Sequence, residues 1–119
     1  MAVRFPAVKP HKYGAKATEV DGITFPSKAE AQRYSELLLL LKAGKISHLD
    51  RQPKIPIYVH GEFICFYIAD FHYFDKEKKE HITEEVKGFE TPIWRLKKKL
   101  FHACYPDDKL IVIYSGKRK

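Results

Sequence analysis

Cysteine is nearly missing from this chain. Cys65 and Cys104 are the only two, each sits inside an apolar run, and no C-x-x-C spacing occurs. That argues against a disulfide framework or a cysteine-based zinc site and suits a reducing compartment. Long apolar runs are missing too. The leucine run Leu37 to Leu41 falls far short of the ~20 residues that cross a bilayer. The N-terminus has no apolar h-region, and Pro6 and Pro10 interrupt what is there. The expectation is a soluble, cytoplasmic protein with no membrane partner. Acid is absent from the start of the chain: no Asp or Glu precedes Glu19, whereas Arg4, Lys9, Lys12 and Lys16 all do.

What is present is base and apolar bulk. Twenty-two Lys and Arg stand against 15 Asp and Glu, for a formal charge of +7, and the chain ends in Lys117-Arg118-Lys119. Such a balance attracts polyanions and speeds their capture, although solvated basic ends alone give the same count. Hydrophobic residues make up 45% of 119, enough for one cored domain.

Residues 1–17, rich in Lys and Pro, read as a flexible basic arm, leaving 18–119 as a single domain. Glu19 to Phe25 reads as a hairpin, because Asp21-Gly22 between β-formers supplies both positive-φ turn positions. Ser27 with Glu30 three residues later forms a capping-box pattern, and Tyr34, Leu37, Leu38 and Leu41 follow at helical spacing to Ala43-Gly44. Ile55 to Val59 alternates as a strand, with Pro53 and Pro56 keeping it near an edge. Phe63 to Phe74 reads as one long central strand, Asp75 to Glu80 as a charged turn, and Ile82 to Lys87 as a third strand. Thr91-Pro92 opens a second helix to about Cys104, with Ile93, Leu96, Leu100 and Cys104 as its buried stripe. Leu110 to Tyr114 is a last strand, joined by a right-handed parallel crossover. The order is hairpin, α, β, β, β, α, β, an α/β chain with a mixed sheet.

Within Ile82 to Lys87, strand alternation turns Thr83, Glu85 and Lys87 to one face and Ile82 and Val86 to the other. Asp70 lies in the preceding run. If the two strands pair around Asp75 to Glu80, Asp70 comes near the level of Glu85. An acid inside an apolar strand is costly unless paired or bound to a cation. Two carboxylates and an ammonium there suit Mg²⁺, which takes oxygen ligands from one or two carboxylates plus substrate phosphate. E-x-K on a solvent-facing strand also makes an ordinary salt bridge. Glu30 has a capping role available, yet its spacing to Tyr34, Leu37 and Leu41 also continues the buried stripe.

Asp70 followed by Glu85-Val86-Lys87, with a helical Glu30 before them, resembles the core of the PD-(D/E)xK nucleases. Lys12-Tyr13-Gly14-Ala15-Lys16, Ser27-Lys28-Ala29-Glu30-Ala31 and Glu85-Val86-Lys87-Gly88-Phe89 resemble small phage-encoded endonucleases related to archaeal-type Holliday-junction resolvases. The resemblance implies a restriction-endonuclease-like αβββαβ core behind the basic arm and hairpin. It implies metal ligation by Asp70 and Glu85, with the Val86 carbonyl completing the shell and Glu30 adding a direct or water-mediated contact. Lys87 would assist the nucleophile. The metal would be Mg²⁺, with Mn²⁺ substituting, and the protein a homodimer in a bacterial host's cytoplasm. Ser27 would touch phosphate or serve only as the cap, and Gln52 would be a polar neighbour of the site. Ala69 stands where the motif's name has proline, a position that carries no chemistry.

Arg95, Lys98, Lys99 and His102 line one side of the second helix and would hold DNA phosphates, with Lys9, Lys12 and Lys16 reaching a second duplex. Phe89 and Trp94 suit a wedge at a branch point or packing in a core or dimer. Three functions follow: a structure-selective endonuclease resolving four-way or branched DNA junctions, the same chemistry on other DNA, or a non-catalytic basic DNA-binding protein.

Overall fold

The computed structural model describes residues 18–114, so the basic arm expected at 1–17, with Lys9, Lys12 and Lys16, lies outside the described residues. The chain divides into two compact units, Met1–Glu36 and Leu37–Lys119.

In the first unit, β1 (Thr18–Val20) and β2 (Ile23–Phe25) pair antiparallel with Val20 opposite Ile23. Asp21 and Gly22 both take positive φ, 54° and 77°, as the tight turn demands. Helix α1 (Lys28–Lys42) begins at Ser27, whose Oγ accepts from the Glu30 N–H at 3.1 Å. Ala31 and Tyr34 are buried on this unit's part of α1, and the Tyr34 ring lies 5.1 Å from that of Phe25. Leu37, in the second unit, is fully buried, but Leu41 is exposed, so the buried stripe stops short of where its spacing placed it. Gly44, at φ 76°, ends the helix, and the Lys45 N–H returns to the Leu40 carbonyl at 3.0 Å.

The second unit holds two sheets. The larger runs β3-β6-β7-β8, built from β3 (Ile46–Arg51), β6 (Phe71–Asp75), β7 (Glu80–Lys87) and β8 (Lys109–Tyr114). Its first three strands are antiparallel, and β8 runs parallel to β7 after helix α2 (Pro92–Cys104). The smaller sheet is the hairpin of β4 (Lys54–Val59) and β5 (Glu62–Ile68). The mixed central sheet with two helices is the α/β class expected.

Two strand assignments need correction. The first strand of the central sheet is β3, hidden in sequence because Ser47, His48 and Asp50 dilute its apolar content and a bulge with His48 at φ 55° interrupts its alternation. The long run Phe63 to Phe74 is two strands in two different sheets, broken at Ala69-Asp70.

The packing of α2 corrects a third expectation. Trp94 and Phe101, two turns apart, are its buried residues, with Leu100 and Cys104 half-buried beside them. Ile93 and Leu96 are 68% and 57% exposed. Trp94 and Phe101 join Ile57, Tyr67 and Ala69 in one core that takes in Leu110 and Val112 of β8. The rings offer more area than Ile or Leu, so the helix turns that face inward. Thr91 caps it, its Oγ1 accepting from the Trp94 N–H at 3.1 Å, and Pro92 fills the first turn, where a missing N–H costs nothing.

Candidate active site

Strand β7 carries the site. Residues Ile82 to Val86 are all buried, so the carboxylates of Glu84 and Glu85 are largely shielded from solvent. Phe71 pairs with Glu84 across the β6–β7 ladder, and the Asp70 N–H continues it to the Glu84 carbonyl at 3.1 Å. Asp70 therefore stands beside Glu85, the level that a hairpin around Asp75 to Glu80 requires. The chain leaves the β4–β5 hairpin at this point, and the Asp70 side chain takes over a ladder position. Its Oδ2 accepts from the Val86 N–H at 2.6 Å, and its carbonyl accepts from the Gln52 N–H at 2.8 Å. A short bond from a backbone amide to a carboxylate is charge-assisted and fixes the acid's direction.

Glu85 is 6% exposed and held from two sides. The Tyr67 hydroxyl donates to its Oε1 at 2.6 Å, and the Lys87 ammonium lies 3.4 Å from its Oε2. Lys87 also sits over the Trp94 ring, 5.1 Å from its centroid, with the Lys98 ammonium 5.4 Å from the same ring. Such cation–π contacts steady an ammonium without neutralising it. Burial, then the charge of Glu85 and the bond to it, push the Tyr67 phenol well above its ordinary value of 10.0, and the Asp70 charge adds to this. The Trp94 indole N–H lies near that phenol and acts the other way, yet it completes no hydrogen bond with any described residue. Asp70, Glu85, Lys87 and the Val86 backbone thus form one cluster, with Tyr67 and Trp94 beneath it.

Behind that cluster, Glu84 points to the opposite face of the strand, fully buried and accepting from the Tyr73 hydroxyl. Farther along β7, the buried Thr83 donates to Asp108 Oδ1 at 2.9 Å, while His72 Nε2 lies 3.3 Å from Asp108 Oδ2. These bonds tie the loop after α2 to the sheet.

Ser27 is the helix cap, and Glu30 is half-buried in the first unit. Gln52 follows β3 in an exposed turn at φ 55°, and its N–H on the Asp70 carbonyl at 2.8 Å makes it a neighbour of the cluster through its main chain. Arg95 and Lys99 are exposed and Lys98 half-buried, and Arg95 Nε lies 3.4 Å from Glu90 Oε1. His102 is exposed, while Lys97 donates to the Phe66 carbonyl at 3.0 Å. Trp94 is in the core and Phe89 is outside it, so the two do not act together as a wedge. Tyr67, the direct partner of Glu85, was missed. An alternating aromatic three residues before Asp70 was its only signal.

Among the described residues no group of three or more His, Cys, Asp and Glu side chains is arranged to hold a metal. The donors present are the two carboxylates of Asp70 and Glu85 and the main chain of Val86. That set is too small for a closed structural site but suits Mg²⁺, which keeps several waters and shares its ligation with substrate phosphate. No helix among the described residues is long and apolar enough to cross a membrane.

No curated protein and no solved structure matches the chain. One family model, described as "Protein of unknown function (DUF1064)", matches residues 10–119, and the chain belongs to that family.

Proposed function

We propose that this protein is a metal-dependent DNA endonuclease of the PD-(D/E)xK type, acting on four-way or branched junctions. One observation carries the proposal: the β6–β7 register brings Asp70 beside Glu85, with Lys87 3.4 Å from the latter's Oε2. Support also comes from the sheet. Three antiparallel strands are followed by a helix and a parallel fourth strand, with β4–β5 inserted between the first two, an order compatible with the core that the resemblance implies.

Asp70 and Glu85 would hold Mg²⁺, whose chemistry at a phosphodiester is to polarise the phosphoryl group and ease deprotonation of the attacking water. The protein's own residues do the rest. Val86 N–H and Tyr67 O–H orient the two carboxylates. Lys87, held between Glu85 and the Trp94 ring, presents a positive charge where negative charge builds on phosphate. Lys98 and Lys99 hold neighbouring phosphates by charge, without reading bases. The homodimer implied by the resemblance would place paired cuts symmetrically in a junction.

The test is cleavage of a labelled four-way junction and of a matched linear duplex, with Mg²⁺ or EDTA. Paired cuts confined to the junction and abolished by EDTA are expected. Equal cutting of both substrates leaves the nuclease and removes junction selectivity. Salt-sensitive binding without any cutting, in Mg²⁺ or Mn²⁺, makes the protein a basic DNA-binding protein whose acids are structural.

A further inference from the structure

Phe89 is the most exposed large apolar side chain among the described residues, at 78%. It stands two residues past Lys87, in the short link between β7 and α2. That link is tied down on its far side. Glu90 Oε2 accepts from the Tyr114 hydroxyl at 2.5 Å, Glu90 Oε1 lies 3.4 Å from Arg95 Nε, and Thr91 caps α2. The Tyr114 bond, and then the Arg95 guanidinium, hold the Glu90 carboxyl below its ordinary range, so at neutral pH it is a fixed anion between them. Phe89 is thus an aromatic ring held out in water from an anchored segment. Ile93 and Leu96 follow it, one turn apart on α2 and also exposed. Three large apolar groups at one end of a helix, away from the core, call for an occupant.

Charge decides which. From Lys87 to His102 the chain carries Lys87, Arg95, Lys97, Lys98 and Lys99 against the single acid Glu90. A second copy would bring the same basic surface and be repelled, whereas a nucleic acid strand is drawn in. Exposed aromatics among basic side chains are how proteins stack single-stranded bases. We propose that Phe89 stacks against an unpaired nucleobase of a bound strand, with Ile93 and Leu96 as the apolar floor and Lys98 and Lys99 on its phosphates. A continuous duplex offers no such base, so this surface selects DNA with an unpaired base next to the strand held at Asp70 and Glu85. The selection of cleavage substrate rests on the nuclease proposal. The stacking does not.

The experiment is a binding titration of the full chain in EDTA, using a short single strand that carries 2-aminopurine and the matched duplex. Wild type is expected to quench 2-aminopurine on binding the single strand. Phe89→Ala should abolish the quench and weaken single-strand binding by about 5- to 140-fold, the range for loss of one base–aromatic stack. Duplex binding should stay unchanged, and Phe89→Trp should restore the quench. Because Phe89 is exposed, the unfolding midpoint serves as a folding control. Single-strand binding and quenching by Phe89→Ala equal to wild type overturn the proposal. So does a wild-type dimer, seen by sedimentation, that Phe89→Ala dissociates, because the surface then belongs to a second copy. Quenching without any cleavage in Mg²⁺ upholds the stacking and removes the nuclease. Cleavage by Phe89→Ala with the substrate preference of wild type keeps the nuclease and overturns the role of Phe89 in selecting its substrate.

Discussion

Replacing Tyr67 by Phe removes one oxygen from the interior and tests what holds Glu85. The ring is almost fully buried and packs edge-on to Phe101 with centroids 5.7 Å apart, and Phe preserves that packing, so no cavity term enters. What is lost is the 2.6 Å bond to Glu85 Oε1. A hydrogen bond to a charged group is worth about 1.5–3 kcal/mol, and the acceptor left behind is 6% exposed, with Lys87 on its other oxygen. The expected loss of unfolding free energy is therefore about 2 kcal/mol. At about 4 °C per kcal/mol for a domain of this size, that lowers Tm by about 8 °C. Urea unfolding monitored at the sole tryptophan, Trp94, should show a lower midpoint at unchanged m. A cycle with Glu85→Gln should return a coupling of about 1 kcal/mol or more. A Tyr67→Phe midpoint equal to wild type, or additive single variants, would mean that Glu85 is not held by this phenol.

Three further outcomes follow from the same geometry. The Tyr67 phenol is held protonated above its ordinary value of 10.0, chiefly by burial and then by Glu85. Above about pH 10 the unfolded chain therefore releases a proton that the fold retains, and stability falls as pH rises. Urea midpoints across that range should decline less steeply in Tyr67→Phe, and equal slopes would contradict the assignment. Asp108→Ala leaves the fully buried Thr83 hydroxyl without the acceptor it now has at 2.9 Å, at a cost of about 1–3 kcal/mol. An unchanged unfolding midpoint would refute that tie between the loop and the sheet. If Lys98 and Lys99 bind phosphate, neutralising either one lowers the slope of log K against log salt by about 0.9, and an unchanged slope removes that residue from the DNA surface.

The placement of the candidate residues was more legible in the sequence than the sheet around them. Asp70, Glu85 and Lys87 follow from strand alternation across a hairpin whose turn is marked by charge, and β6–β7 has that register. The Asp21-Gly22 hairpin and the Ser27 cap were legible because local chemistry dictates both. Strand β3 was not, since a bulge and a positive φ at His48 erase the period-2 signal. Nor was the break at Ala69-Asp70. Apolar residues on both sides of it read as one strand, and the change of partner, with the Val86 amide on Asp70 Oδ2, lies in tertiary contacts that the local pattern does not carry. The face of α2 misled for a related reason. Period 3.6 admits both the Ile93-Leu96-Leu100 and the Trp94-Phe101 stripes, and tertiary packing chose the larger rings. Tyr67 acts on Glu85 across 18 residues of sequence, a contact that no local pattern encodes.

The most direct measurement is strand scission of a labelled junction by wild type and Asp70→Asn in Mg²⁺, with binding recorded on the same samples in EDTA. A nuclease centred on Asp70 and Glu85 gives metal-dependent cuts by wild type, and no cuts but intact binding by Asp70→Asn. Equal cutting by both proteins, or no metal-dependent cutting by wild type, would contradict it.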